Sequence, residues 1–248
     1  MSTKHTLFQI ALLAALVLSP ISAPVLAAPR PAPVVQISWY DANWPCRKPI
    51  TIDHTQVEAD LTGFPVLIRL GADADLAARA QDSGDDILFT DYSGGELNHE
   101  IEYFDGSTGE LVAWVNVPNV SSTTDTLLYM YYGNAGAANQ ENPEAVWDAD
   151  YVMVQHLEET SGTHFGSTQY ANDGIPSGAT AGLIQDAAGE MDGADDFSGD
   201  GDFIDVGTQA SMDIYGPGED FSIFTWVKRD DTSAIQGFFS SGSSAFLV

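Results

Sequence analysis

The stretch "LNHEIEYFDGSTGELVAWVNVP", residues 97–118, decides the fold. Ile101 and Tyr103 alternate with Glu100 and Glu102, the two-residue period of a strand with one wet face. "DGSTGE" then supplies turn chemistry. In "LVAWVNV" the residues Leu111, Ala113, Val115 and Val117 share one side and Trp114 takes the other. Two strands around a tight turn, with no helical periodicity between them, predict antiparallel β-structure.

The same reading extends in both directions. "KPITIDHT" places Ile50 and Ile52 on one face, and "GFPVLIRL" turns Phe64, Val66, Ile68 and Leu70 inward. "DDILFTD" pairs Ile87 with Phe89, and "TLLYMYYG" is apolar enough for a central strand. One short helix is expected at "DADLAARAQ", with Asp73 as N-cap and Leu76, Ala77 and Ala80 facing the core. Past residue 132, "GNAGAANQENPEAVWD" lacks alternation and reads as a linker; strand patterns resume at "YVMVQHLE", "FIDVG", "FSIFTWVKR" and "GFFSSG". The expected fold class is therefore all-β: two consecutive antiparallel β-sandwich units of jelly-roll type, spanning 44–132 and 151–248 with a linker at 133–150, the second unit incomplete.

Residues 1–27 read as a signal peptide. A twelve-residue, mostly apolar run, "LFQIALLAALVL", is followed by Pro20, Pro24 and small residues ahead of Ala28. The run is shorter than the ~20 residues of a membrane-spanning helix. A Pro-rich lead-in follows at 28–43. The expected location is secreted or cell-envelope, with no membrane span after cleavage.

There are 36 acidic against 8 basic residues, a net charge of -28, and no Lys or Arg lies between Arg79 and Lys228. Such a surface repels nucleic-acid backbones and phosphorylated cofactors. Cys46 is the single cysteine, so no internal disulfide forms.

The blocks "RKPITIDHTQVEADLTGFPVLIRL", "DSGDDILFTD", "LNHEIEYFDGSTGELVAWVNVP" and "TDTLLYMYYGN" resemble, in that order, the secreted family known as domain of unknown function 2341, over about 44–148. The resemblance implies a β-rich extracytoplasmic module without an assigned activity. "VQHLEETSGTHFGSTQYANDG", "DDFSGDGDFIDVG" and "FSIFTWVKRDD" resemble the first half of a laminin-G-like, concanavalin-type jelly roll. That fold binds glycans, proteins or steroids and does not name a ligand.

Three sets of residues invite chemistry. Glu100, Glu102 and Asp105 resemble, with the acids exchanged, a glycosidase strand motif, but acids on the solvent face of a strand are the plainer reading, and no catalytic residue is assigned. Trp114, Tyr129 and Tyr131, with Tyr132, offer flat faces for a sugar-stacking platform. "DGADDFSGDGDFIDVG" fails as an EF-hand, with Gly207 where the bidentate Glu belongs. It reads instead as a hairpin of "ADDF" and "DFIDVG" about the turn "SGDG". Calcium among Asp196, Asp200 and Asp202 would relieve the crowding of acids there. His54, His99, His156 and His164 lack metal-ligand spacing; His99 and His156 read as partly buried structural residues. The function expected is a non-catalytic binding or adhesion module for a glycan or a cell-surface protein. The alternative is the leading accessory portion of a larger secreted carbohydrate-active hydrolase.

Overall fold

A computed structural model describes residues 39–177, 183–197, 201–213, 220–229, 237–241 and 244–247. The chain runs through β1 (Cys46–Ile52), β2 (Leu61–Leu70), α1 (Ala74–Arg79), β3 (Leu88–Asp91), β4 (Glu96–Leu97), β5 (His99–Asp105), β6 (Glu110–Val120) and β7 (Thr126–Tyr132). These strands form two antiparallel sheets, ordered β1-β7-β3-β4 and β2-β6-β5. Their inner faces close on one apolar core. Phe89, Leu128, Met130 and Tyr132 come from the first sheet, and Ile68, Leu111, Ala113, Val115 and Val117 from the second. The alternation read from the sequence is thus the alternation of a sandwich.

The helix forms where expected. The Asp73 carboxylate accepts from the backbone N–H groups of Asp75 and Leu76, and Leu76 is fully buried beneath it. The β5–β6 turn rests on this cap, with Asp73 N–H donating to Thr108 O at 2.8 Å. Gly109 has φ +73°, and a Cβ there would lie 2.1 Å from Asp73 O, so only glycine admits the approach.

Two details depart from simple alternation. Phe64 was expected inward but is 40% exposed, beside Gly63 in the left-handed region (φ +59°). In β5, Ile101 pairs with Ala113 and Tyr103 with Val112, so Glu102 is the extra residue of a β-bulge. The bulge reverses the parity. Ile101 and Phe104 pack on the core, not Ile101 and Tyr103.

The segment 133–150 is held against this sandwich. Glu141 Oε2 accepts from Ile101 N–H at 2.7 Å, and Asn142 N–H donates to His99 O at 2.9 Å, so both bond along β5. Val146 and Trp147 are buried.

Farther on, the strands are short and paired in twos. They are β8 (Ile175–Ser177), β9 (Ile184–Ala188), β10 (Gly193–Asp196), β11 (Phe203–Asp205), β12 (Gly237–Ser241) and β13 (Ser244–Leu247). The pairs are β9–β10, β8–β11 and β12–β13. The hairpin expected about "SGDG" is therefore not made. Its two strands take different partners, because a tighter connection precedes it, closed by Gly189 N–H on Asp192 O at 2.9 Å. "YVMVQHLE" and "FSIFTWVKR" are not strands. Among the described residues no helix is long and apolar enough to cross a membrane. All of them fall within one compact unit, Ile37–Val248. The structure is all-β with antiparallel sheets, consistent with the expected sandwich class.

Candidate functional site

The outer face of the β2-β6-β5 sheet carries a buried charge cluster. Glu100 and Glu102 were read as the wet face of a strand, yet they are only 7% and 5% exposed. The reason lies later in the chain. His156 inserts between them, with Nε2 3.2 Å from Glu100 Oε2 and Nδ1 3.4 Å from Glu102 Oε2. Two indoles complete the set. Trp147 Nε1–H donates to Glu100 at 2.9 Å and Trp114 Nε1–H donates to Glu102 at 2.6 Å. Their rings lie 5.2 Å apart, so one aromatic pair serves both carboxylates.

The electrostatics follow from that packing. Burial alone would discharge His156, but hydrogen bonds and charge from Glu100 and Glu102 reverse the balance and push it up to about 10. Burial likewise opposes ionisation of Glu100, and the hydrogen bonds of His156, Ser167 and Trp147 outweigh it, leaving its pKa lowered. The cluster is thus a buried imidazolium between two carboxylates.

A cleft of about 280 Å³ opens beside the cluster, walled by Glu100, His156, Glu158, Glu159, Phe165 and Ser167. Chain geometry aims these groups. Leu157 sits in the left-handed region at φ +58°, a conformation unusual for leucine, and it separates the inward His156 from Glu158 at the cleft. Gly193 makes room for this turn. A Cβ there would lie 2.7 Å from Leu157 O and 2.9 Å from Glu158 Cα. The Glu158 carboxyl, open to solvent on one side, is pushed up to about 7 by desolvation and by the charges of Asp192, Glu159 and Glu100, against the pull of His156. Phe165 is 66% exposed at the rim.

Glu159 ties the cleft to a second set. It accepts from Phe165 N–H at 2.7 Å and stands 2.7 Å from His164 Nδ1. His164 Nε2 lies 2.8 Å from Asp195 Oδ2, and the imidazole is fully buried. Acid–imidazole–acid order therefore occurs twice, once on each side of Glu158.

The residues expected to form sites fall elsewhere or apart. Trp114 lies on the outer face of one sheet, under Trp147. Tyr129 and Tyr131 lie on the outer face of the other, 7% and 0% exposed, with Leu88 beneath Tyr40 and Trp44. The two outer faces are on opposite sides of the core, so the three rings share no platform. Arg47 caps the second group, 4.4 Å from the Tyr129 ring and 4.8 Å from that of Trp39. Tyr132 is a core residue whose hydroxyl donates to Asp75. Asp105 is spent on its turn, accepting from Ser107 and Thr108, and does not join Glu100 and Glu102. Of the acids expected to hold calcium, Asp196 ends β10 and Asp202 precedes β11, while Asp200 lies outside the described residues. Among the described residues one trio, Asp53, His54 and Asp125, brings its ligand atoms within 4.8 Å. His54 and Asp125 there already face each other at 2.6 Å. His99 is buried, as expected, and burial lowers its pKa to about 4.

Residues 83–173 match the family model named Domain of unknown function (DUF2341). The match begins later than the resemblance read from the sequence and runs past residue 148. It takes in β3 to β7 and every cleft residue named above, Glu100 through Ser167. The cleft residues thus lie wholly within the matched stretch, while Asp195, the far partner of His164, lies outside it. No curated protein and no solved structure matches the chain.

Sequence reasoning missed Trp147, Glu158, Glu159, Phe165 and Asp195 as site residues. One signal was available: "HLEETSGTHF" packs two histidines, two glutamates and a phenylalanine into ten residues in a stretch without a hydrophobic period.

Proposed function

We propose that the chain is a non-catalytic, extracytoplasmic binding module whose cleft takes a glycan. The observation that carries the reading is the composition of the cleft wall. Glu100, Glu158 and Ser167 offer oxygens to hydroxyl groups, and the exposed Phe165 ring offers a flat apolar face to the C–H side of a sugar. The volume sits at the low end of the ~300–1,000 Å³ of ligand clefts, which suits the end of a chain or a single residue of it. The apolar run at 7–18 and the Pro-rich lead-in support export, with cleavage ahead of Ala28 as the expected processing step. The laminin-G-like pattern after residue 151 supports the same class of role.

A glycan array probed with the full chain tests the reading, with calcium and with chelator. Retention of one glycan class is expected, with Phe165→Ala weakening it by ~2–10-fold, the worth of one stacked ring. An array on which nothing is retained overturns it. Loss of binding with chelator alone would point to the acids near Asp196 and Asp202. A second reading, an accessory portion of a larger secreted carbohydrate-active hydrolase, draws on the same cleft wall. It predicts retention of a hydrolase's glycan substrate with no sugar release by this chain.

A further inference from the structure

We infer that Gln185 and Asp195, outside the cleft and beyond the matched stretch, are positioning residues. They hold the loop that presents Phe165 and so set how tightly the cleft binds. The inference rests on the glycan reading above and concerns the support of that same site. The loop from Leu157 to Gly166 has no ladder of its own apart from the single bridge of His164 to Gly174. Gly166 N–H donates to Asp173 Oδ1 at 3.0 Å and fixes its far end. The β9–β10 hairpin pins the middle. Gln185 Oε1 accepts from Gly162 N–H at 2.8 Å, and Gln185 Nε2 donates to Gly162 O at 3.0 Å. One side chain thus satisfies both backbone groups of a loop residue, as a paired strand would. Asp195 Oδ2 stands 2.8 Å from His164 Nε2, and His164 Nδ1 stands 2.7 Å from Glu159. Glu159 in turn accepts from Phe165 N–H at 2.7 Å. Asp195 therefore reaches the rim ring through two side chains and without touching the cleft.

The hairpin is shaped for this contact. Its register shifts between Ala194 and Asp196, so Gln185 and Asp186 together oppose Asp195. Such a bulge re-aims side chains, here Gln185 and Asp195 toward the loop. Asp186 takes φ +60° to make it. Among the described residues the three non-glycine positions of positive φ are Leu157 in the loop, Ala171 in the turn after it and Asp186 in the hairpin. Backbone strain of this kind persists where surrounding contacts over-determine it, and it gathers at ligand sites. The Asp195 side chain is without solvent exposure and meets no polar partner among the described residues except the imidazole. A carboxyl taken out of water for one contact adds little to stability. Holding the loop is what that contact does.

Amide hydrogen exchange of the full chain, read by mass spectrometry, tests the support without any ligand. Gln185→Ala and Asp195→Ala are each expected to speed exchange across 157–167 by ~3–10-fold, the worth of one hydrogen-bonded contact, and to leave β6 and β7 protected as before. Unchanged exchange across 157–167 in either variant overturns the inference. Titration over the glycan array reads the binding. Each variant should weaken the retained glycan by no more than Phe165→Ala does, ~2–10-fold. Phe165→Ala made on top of either should add less than ~2-fold, because a ring no longer held has little left to lose. A defect of stability alone would lower the melting temperature and leave the affinity of the folded chain as it was. Unchanged affinity in either variant, or losses that add in full, overturn the inference while the glycan reading stands. If the array retains no glycan, the glycan reading and the claim on affinity fall together, and exchange alone decides whether the hairpin holds the loop.

Discussion

The two stretches of chain on either side of residue 150 share a strand-like sequence pattern and solve burial differently. From 46 to 147 the interior is hydrocarbon, and Leu76, Ile87, Phe89, Leu111, Val115 and Met130 are each without solvent exposure. Between Trp147 and Arg229 no apolar side chain among the described residues is buried. The buried residues there are His164, Thr168, Asn172 and Gly174. Asn172 shows how that region holds itself. Its amide donates to Val152 O at 2.6 Å and to Ser211 Oγ at 2.9 Å, and Gln155 donates to its carbonyl. Meanwhile Ile175, Ile184 and Phe203 are 50% exposed or more. Alternation in a sequence says which side chains share a face. It does not say that a second face arrives to cover them, and in the later region hydrogen bonds and ion pairs bear the organisation.

The sharpest way to break this comparison is at the point where the two regions meet. His156→Ala leaves Glu100 and Glu102 buried without their cation, and a loss of ~3–5 kcal/mol is expected in urea unfolding. A loss below ~1 kcal/mol would mean that the carboxylates reach water or protonate without cost. Next comes the hydrocarbon interior. Leu111→Ala should cost ~2–5 kcal/mol by the same measurement, through lost burial and the cavity left behind.

The pH dependence of stability sharpens the contrast. His156 is raised from its ordinary 6.5 to about 10, so its stabilisation is complete below ~6.5 and is lost as pH rises toward 10. His99 runs the other way. Its pKa falls from 6.5 to about 4 through burial, so stability should rise with pH across that window. A melting temperature that is highest near pH 6.5 is expected, and His156→Gln should flatten only the alkaline side. An alkaline fall that survives that substitution would remove His156 as its source. The smallest effect belongs to the later region: Ile184→Ser, at an exposed position of β9, should change stability by less than ~0.5 kcal/mol. A loss as large as that of Leu111→Ala would show a hydrocarbon interior there after all.

Much of the first sandwich was legible because its rules are local. Ile50 and Ile52, Ile87 and Phe89, and the run from Leu111 to Val117 needed only a period of two, and Asp73 needed only a cap and an apolar face behind it. The site was less legible because it depends on distant chain. Nothing near Glu100 announces that His156 and Trp147 will arrive to bury it, and an acid facing solvent looks the same in sequence as an acid facing a partner. The bulge at Glu102 carries no glycine or proline to mark it, so Tyr103 was assigned the place that Phe104 takes. The expected hairpin after Asp196 failed through competition: two turns compete for β10, and the sequence does not rank them.

Glu141 carries a consequence for how the molecule behaves among its own copies. β5 is the last strand of its sheet, and its Ile101 amide points outward, where the backbone of another protein could add a strand. A carboxylate fills that position instead. It satisfies the amide but offers no further ladder, and it brings negative charge to the border. The sheet is thereby closed to addition along this edge, and aggregation through it is resisted once residues 133–147 have docked. Before that moment, while the chain is still emerging, the border is open, so the interval between synthesis of β5 and arrival of Glu141 is when the molecule is most exposed to pairing with the wrong strand.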